Sequence, residues 1–401
     1  MLSPSLALLI SIGGILTLLR LKVHPGFAIF AGGLILAVLV LPLTSIPAII
    51  YQALFNYQTA RLLVIIASAL TLSRLMEGKG LLAELATAME SINPKLGLHF
   101  IPAVIGFVPV PAGALISATA SRDLTNRVGL SPEQGTFINY WFRHIWEFSI
   151  PVYQGIVLAS VILSIPISLV VVTLFPLTAV SVASGAVISY WILKKTPKVS
   201  GKPTRRNIVY KLFRASWPIL MLVPSVMLGL EAMIAFPVVV ALLAVQQRVK
   251  WSELKPALKY GLDLRILFLL CAVMLYKTII ESSGAAEAVF SDMQSMGLSA
   301  LIILIVLPLL MGLATGFTIA FVGVALPLLV PFITSATGIY GYALVVAYAS
   351  GLMGIMLSPM HLCLILSSEY FKANMASVYR FLLPAAVMVE GIAILIYFVA
   401  G

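Results

Sequence analysis

Residues 61–91 read RLLVIIASALTLSRLMEGKGLLAELATAMES, and residues 265–295, offset by 204 positions, read RILFLLCAVMLYKTIIESSGAAEAVFSDMQS. The two stretches align without a gap and share Arg61/Arg265, Leu63/Leu267, Glu77/Glu281, Gly80/Gly284, Met89/Met293 and Ser91/Ser295. Shared leucines mean little in a chain this apolar, whereas shared charges, glycines and serines mean more. At an offset of 208 the match resumes with Pro151/Pro359, Leu158/Leu366 and Ser160/Ser368. The chain reads as a duplication.

The duplicated unit is built for lipid. Of its 401 residues 61% are hydrophobic and 10% charged, against roughly 25% charged in a soluble domain. Long apolar runs recur from end to end and leave no room for a separate soluble domain. The net charge of +11 does not point to nucleic acid, because no basic stripe with interleaved aromatics is present. Cys271 and Cys363 both lie in apolar runs and argue neither for a disulfide nor for a metal site. The N-terminus lacks the basic region of a signal peptide, since Arg20 and Lys22 follow the first apolar stretch.

A helix needs roughly 17–25 mostly apolar residues to span a bilayer. The first half supplies Pro4–Leu19, Gly26–Leu43, Arg61–Met76, Phe137–Leu163 and Ile167–Leu193 as expected spans. The second supplies Ser216–Leu230, Ala232–Gln246, Leu264–Ile280, Tyr342–Leu366 and Phe381–Val399. Two further stretches, Leu98–Ala120 and Leu298–Val330, are broken by Pro, Gly and small polar residues and read as re-entrant hairpins. With the N-terminus outside, all of the 25 Lys and Arg except Arg61, Arg143 and Lys277 fall in cytoplasmic segments. Glu231, Glu281, Glu287 and Asp292 fall outside. That is the positive-inside pattern, and it places both termini externally in the cytoplasmic (inner) membrane. Ser216–Gln246 is the weakest assignment, because its basic flanks Arg214 and Arg248 permit two crossings or none.

The expected fold is an all-α polytopic membrane protein of two inverted repeats, each with five transmembrane helices and one hairpin. Residues 1–193 form the first repeat and residues 215–401 the second. The basic stretch 194–214 is the cytoplasmic linker. Five is odd, so the second copy sits upside down. Inverted repeats with interrupted helices are a pattern of secondary transporters.

Backbone groups freed by a break within hydrocarbon must find partners in protein or water. Four such breaks are expected. Phe107–Ala114 carries Pro109, Pro111 and Gly113, followed by Ser117 and Thr119. Gly312–Thr318 carries Thr315, Gly316 and Thr318. Glu147–Gly155 carries Ser149, Pro151 and Tyr153, and Met356–His361 carries Ser358, Pro359 and His361. Freed N–H groups at a new helix start favour anions, and freed carbonyls favour cations. Arg143 lies roughly 10 Å into its span at 1.5 Å per residue, where a charge costs on the order of 3 kcal/mol even on insertion scales. Glu147 follows one turn later. Arg143 is the candidate anion ligand, and Glu147 and His144 are the candidate proton carriers. A self-neutralised structural pair near the interface is the alternative for Arg143 and Glu147. The candidate substrate-binding set is Pro109, Pro111, Gly113, Ser117, Arg143, Ser149, Tyr153, Thr315, Gly316, Thr318, Ser358 and His361. Glu390, which has no mate in the other half, is expected to be paired or at the surface. Signatures of zinc hydrolases, serine hydrolases and nucleotide-binding loops are absent, so neither an enzyme, nor a primary pump, nor a resident metal or cofactor is expected.

The runs Gly106–Thr119, Asn139–Ser160, Gly312–Pro327 and Gly351–Asn374 resemble a prokaryotic integral-membrane family of unknown function, over nearly the whole chain. That family in turn resembles the ion transporter superfamily, with the gluconate, dicarboxylate and arsenite permeases. The resemblance implies paired hairpins meeting paired broken helices around a substrate, elevator-like movement of that unit, and a homodimer. Its fixed scaffold would come from parts of Pro4–Leu43 and Ser216–Gln246. The sodium-coupled dicarboxylate carriers of that group have Ser-Asn-Thr at both hairpin tips. The tips here have no Asn, so neither dicarboxylate nor sodium carries over. The expected function is secondary transport of a small anionic solute coupled to H+ or Na+. A passive channel and a membrane enzyme or assembly partner are the alternatives.

Overall fold

In an apolar medium each backbone amide needs an internal partner, and a helix supplies one within the segment itself. The computed structural model, which describes residues 2–90, 94–109, 113–194, 196 and 208–401, is accordingly almost entirely helical. The first ten helices are α1 (Pro4–Arg20), α2 (Pro25–Val40), α3 (Ile46–Leu54), α4 (Tyr57–Gly78), α5 (Leu81–Glu90), α6 (Pro94–Ile105), α7 (Gly113–Val128), α8 (Pro132–His144), α9 (Gln154–Leu163) and α10 (Ile167–Leu193). They are followed by α11 (Ile208–Met227), α12 (Ala232–Gln246), α13 (Trp251–Gly261), α14 (Leu264–Ser283), α15 (Ala285–Ser295), α16 (Ala300–Thr315), α17 (Thr318–Ile333), α18 (Gly341–Leu357), α19 (Leu362–Phe371) and α20 (Met375–Ala400). A small antiparallel hairpin, Thr334–Ser335 with Gly338–Ile339, joins α17 to α18.

Four stretches are long and apolar enough to cross a membrane: Tyr57–Gly78, Ile167–Leu193, Gly341–Phe371 and Met375–Ala400. Several shorter apolar helices accompany them, α1, α2 and α12 among them. This is the make-up of a membrane-embedded helical protein. α10 and α12 fall on the residues expected of them. α2 stops at Val40 instead of Leu43, because Pro42 biases Leu41 out of the helical region. The nine-residue α3, opened by Pro47 in its first turn, is too short to register as a span and escaped the sequence reading.

Both expected interrupted helices are interrupted. α8 ends at His144, passes through a 3-10 turn at Ile145–Phe148 and Pro151, and resumes as α9. α18 ends at Leu357 and resumes as α19 after Pro359. A proline in a helix interior removes a hydrogen bond and clashes with the preceding turn. The apolar stretches 98–120 and 298–330 are each two helices, α6 with α7 and α16 with α17, packed on one another.

Packing partners recur between the halves. α1 packs on α15 and α11 on α5; α2 packs on α14 and α12 on α4; α3 packs on α14 and α13 on α4. α6 packs on α8 and α16 on α18, while α7 crosses to α19 and α17 crosses to α9. Each broken helix thus packs on helices of both halves.

The tightest of these seams is α16 on α18. A Cβ on Gly312 would lie 2.1 Å from Gly351 O, and one on Gly354 would lie 2.3 Å from Leu309 O. Small residues let membrane helices approach until their backbones touch. Gly354→Val is expected to force the helices apart at a cost of about 1–3 kcal/mol. Thermal melting of the detergent-purified protein checks this; an unchanged melting temperature would show that the seam is not tight.

Candidate functional site

α8 starts on a capping box, in which Ser131 accepts from Gln134 N and the Gln134 side chain accepts from Ser131 N. From Gly135 to His144 every residue of it is buried. The helix therefore delivers Arg143 and His144 into the interior at its C-terminal end, where cations complement the helix dipole. α18 is likewise buried from Ala343 to Met356 and delivers Ser358 and His361 to the same region.

Each break is tied to a neighbouring helix turn by side chains that bond backbone carbonyls. Tyr153 donates its hydroxyl to Gly106 O. Ser358 donates to Leu313 O at 2.7 Å and accepts from Met360 N at 3.2 Å. His361 Nδ1 lies 2.9 Å from Gly316 O. Gly316 has φ +60, and a Cβ there would sit 2.9 Å from His361 N. A Cβ on Gly106 would sit 2.2 Å from Arg143 O. Glycine is what allows the turn after α6 and the turn after α16 to touch the broken helices.

The ties bring titratable groups from both halves together. His144 Nε2 is 3.2 Å from His361 Nε2, 3.4 Å from Arg143 Nη1 and 3.8 Å from Glu147 Oε1. His144 Nδ1 is 2.6 Å from Tyr140 O. Glu147 Oε2 accepts from Thr318 Oγ1 at 3.2 Å, and Tyr348 donates to Glu147 O at the same distance. Thr318 is the first residue of α17, so the carboxylate sits at the start of a helix, where the dipole favours negative charge. Arg143, His144, Glu147 and His361 are all buried, none more than 8% exposed. Charges so buried are held only by close partners.

Burial is uneven around this cluster. The first break, Ile145–Tyr153, is buried apart from a half-buried Trp146, whereas Phe317, Pro359 and Met360 at the second break are exposed. On the side of α6, α8, α10 and α11, Phe107, Phe142, Ile145 and Trp146 wall a separate, largely apolar cavity of about 1090 Å³.

Of the residues expected from the sequence, Arg143, His144, Glu147, Gly316, Thr318 and His361 converge here, with Tyr153 and Ser358 as ties. Ser149 instead shares a hydrogen bond with Thr178 on α10 at 2.6 Å. Ser117 bonds Ala114 O and Thr315 bonds Met311 O, each within its own helix. Gly113 opens α7 and Pro109 lies in the turn before it, while Pro111 lies outside the described residues. Glu390 is paired, accepting from Ser350 at 2.5 Å. Sequence reasoning missed Cys363, whose sulfur lies within 4.8 Å of ligand nitrogens of both His144 and His361. Its spacing, two residues past His361, was the available signal. Asn139 was missed as well. It donates to Ala114 O at 3.0 Å and to Ser367 Oγ at 2.9 Å, joining α7, α8 and α19.

Residues 2–400 match the family model described as "Protein of unknown function (DUF401)", and the chain belongs to that family. No curated protein matches the chain.

The αL turn at Gly316 positions His361. Gly316→Ala is expected to cost about 1–2 kcal/mol for the backbone conformation alone, before the contact with His361 N is relieved. Lower thermal stability, with faster hydrogen exchange confined to residues 313–364, is the expected result. Wild-type exchange in that segment would show that the turn does not hold the break.

Proposed function

We propose that this protein is a secondary active transporter of a small anionic solute, built as two inverted repeats and moving by elevator-like alternating access. In this reading ten spans and two re-entrant hairpins lie in the cytoplasmic membrane with both termini outside. The recurrence of packing partners between the halves supports the repeat, and the basic loops support the orientation.

The observation that carries the function is the buried group of Arg143, His144, Glu147 and His361 at the meeting point of two broken helices. An arginine this buried carries a desolvation cost that a structural role alone explains less well than a transported anion does. Guanidinium offers an anion charge and a fork of donors in one group. Glu147 already occupies the start of α17 through Thr318, the position an incoming anion would favour. The carboxylate is an internal stand-in for substrate, and its release from that position requires neutralisation or movement. Coupling to a proton follows from this exchange, with Glu147 as carrier. The difference in exposure between the two breaks is what one access state of a carrier requires.

Thermal shift across a panel of anions identifies the solute, because a ligand at 100 times its dissociation constant adds about 2.7 kcal/mol. With that solute in proteoliposomes, Arg143→Ala is expected to abolish saturable uptake while the protein still inserts; unchanged kinetics would remove Arg143 from the mechanism. Glu147→Gln, a mimic of the protonated acid, is expected to retain solute exchange and lose accumulation driven by a pH gradient. Accumulation that persists in this variant would exclude Glu147 as the proton carrier. Absence of accelerated counterflow in the wild type would turn the reading to a channel.

A further inference from the structure

The two histidines at the centre of the site face each other in a way that neutral rings do not satisfy. A backbone carbonyl only accepts hydrogen bonds. The Nδ1 atoms of His144 and His361, at 2.6 Å from Tyr140 O and 2.9 Å from Gly316 O, must therefore both carry their protons. Two neutral rings of that tautomer present bare lone pairs at Nε2, and these confront one another at 3.2 Å. Arg143 Nη1, at 3.4 Å from His144 Nε2, answers the first lone pair at long range and leaves that of His361 facing it. A donor or a cation belongs between the rings, and Cys363 is the further ligand-bearing side chain beside them.

Distance and donor type say which cation. Two imidazole nitrogens bound ~2.05 Å from one tetrahedral ion lie ~3.3 Å apart, and the observed separation is 3.2 Å. The ligand atoms of His144, His361 and Cys363 all lie within 4.8 Å of one another. A nitrogen and a sulfur on one tetrahedral zinc lie ~3.5 Å apart, within the 4.8 Å that bounds the three ligand atoms. Cys363 is half-buried and sits in the first turn of α19, two residues past His361. Glu147 Oε1 lies 3.8 Å from His144 Nε2, so its negative charge adjoins the three ligand atoms. The carbonyls of Tyr140 and Gly316 hold both rings with Nε2 inward, as outer-shell partners of metal-bound histidines do.

We propose that His144, His361 and Cys363 bind one zinc-class transition-metal ion through two imidazole Nε2 atoms and a thiolate, with the Glu147 carboxylate nearby as counter-charge. Imidazole and thiolate select ions of this softness over Mg2+ or Ca2+, which take oxygen ligands. With the thiolate and carboxylate ionised, a divalent ion leaves the cluster, Arg143 included, with one net positive charge. A bound anion would neutralise it.

The test uses the full-length protein in detergent, stripped with a chelator and free of solute, so its outcome is independent of the transport reading. Zn2+ is titrated by calorimetry and Co2+ by absorption. The expected result is one ion per chain, with the intense visible bands of tetrahedral Co2+ and a near-ultraviolet thiolate-to-cobalt band. Cys363→Ser, nearly isosteric at a half-buried position, should abolish the ultraviolet band and keep a monodisperse protein. His361→Gln should weaken Zn2+ binding by more than the ~10–100-fold that loss of an outer-shell partner costs. Substoichiometric binding, weak octahedral Co2+ bands, or a Co2+ spectrum unchanged in Cys363→Ser would each overturn the proposal.

Discussion

A helix broken inside an apolar interior frees amide and carbonyl groups that no solvent there can satisfy, and the architecture follows from how those groups find partners. At the breaks after His144 and Leu357, Tyr348 donates to Glu147 O, Tyr140 to Met356 O and Tyr379 to Leu357 O, while Tyr153, Ser358 and His361 tie the breaks to carbonyls on the neighbouring turns. Those turns come close enough only because Gly106 and Gly316 carry no side chain. The helices that bear the turns must in turn pack hard against the broken ones, which Gly312 and Gly354 permit along α16 and α18. Backbone satisfaction, close packing and site geometry are therefore one constraint seen at three scales.

The same constraint decides where charge can be buried. Arg143 and Glu147 would each cost several kcal/mol if desolvated alone. Arg143 is carried at the C-terminal end of α8 beside His144, and Glu147 is placed at the start of α17 on the Thr318 hydroxyl. α17 belongs to the second half of the chain and packs on α9 of the first. Ionic groups from one half are thus stabilised by helix ends from both, and relative movement of the halves would be felt directly at Glu147. In the proposed carrier this would be the physical content of coupling, because the free energy of the carboxylate depends on which helix end it meets.

Much of this was legible in the sequence, for identifiable reasons. Arg143, His144, Glu147 and His361 stand out because ionisable groups are costly within apolar runs and need an explanation. The positions of the breaks were legible in Pro151 and Pro359, since proline removes a donor wherever it falls. Hydroxyl residues were less informative. Ser117 and Thr315 bond carbonyls of their own helices and Ser149 pairs with Thr178, uses that a one-dimensional reading does not distinguish from binding. Cys363 was passed over because a thiol in an apolar run behaves as a small hydrophobe until a histidine is placed beside it. The crossing of α7 to α19 and α17 to α9 was not legible, because periodicity reports which face is buried and not against what.

The meeting of His144 with His361 is the point at which these arguments join. Each ring comes from the break of a different half, and each is oriented by a carbonyl, Tyr140 O for His144 and Gly316 O for His361. The orientation that satisfies the two carbonyls is the one that sets the two Nε2 lone pairs against each other. Local satisfaction of the backbone therefore creates a facing pair of lone pairs at the centre, which a proton, a donor such as the Cys363 thiol, or a metal ion would relieve. A proton or a metal ion there would bind α8 to α19 and raise the cost of separating the two halves, while its loss would lower that cost. A fold that meets its backbone requirements at the breaks has, by the same geometry, left between them a joint that the proposed metal ion would close.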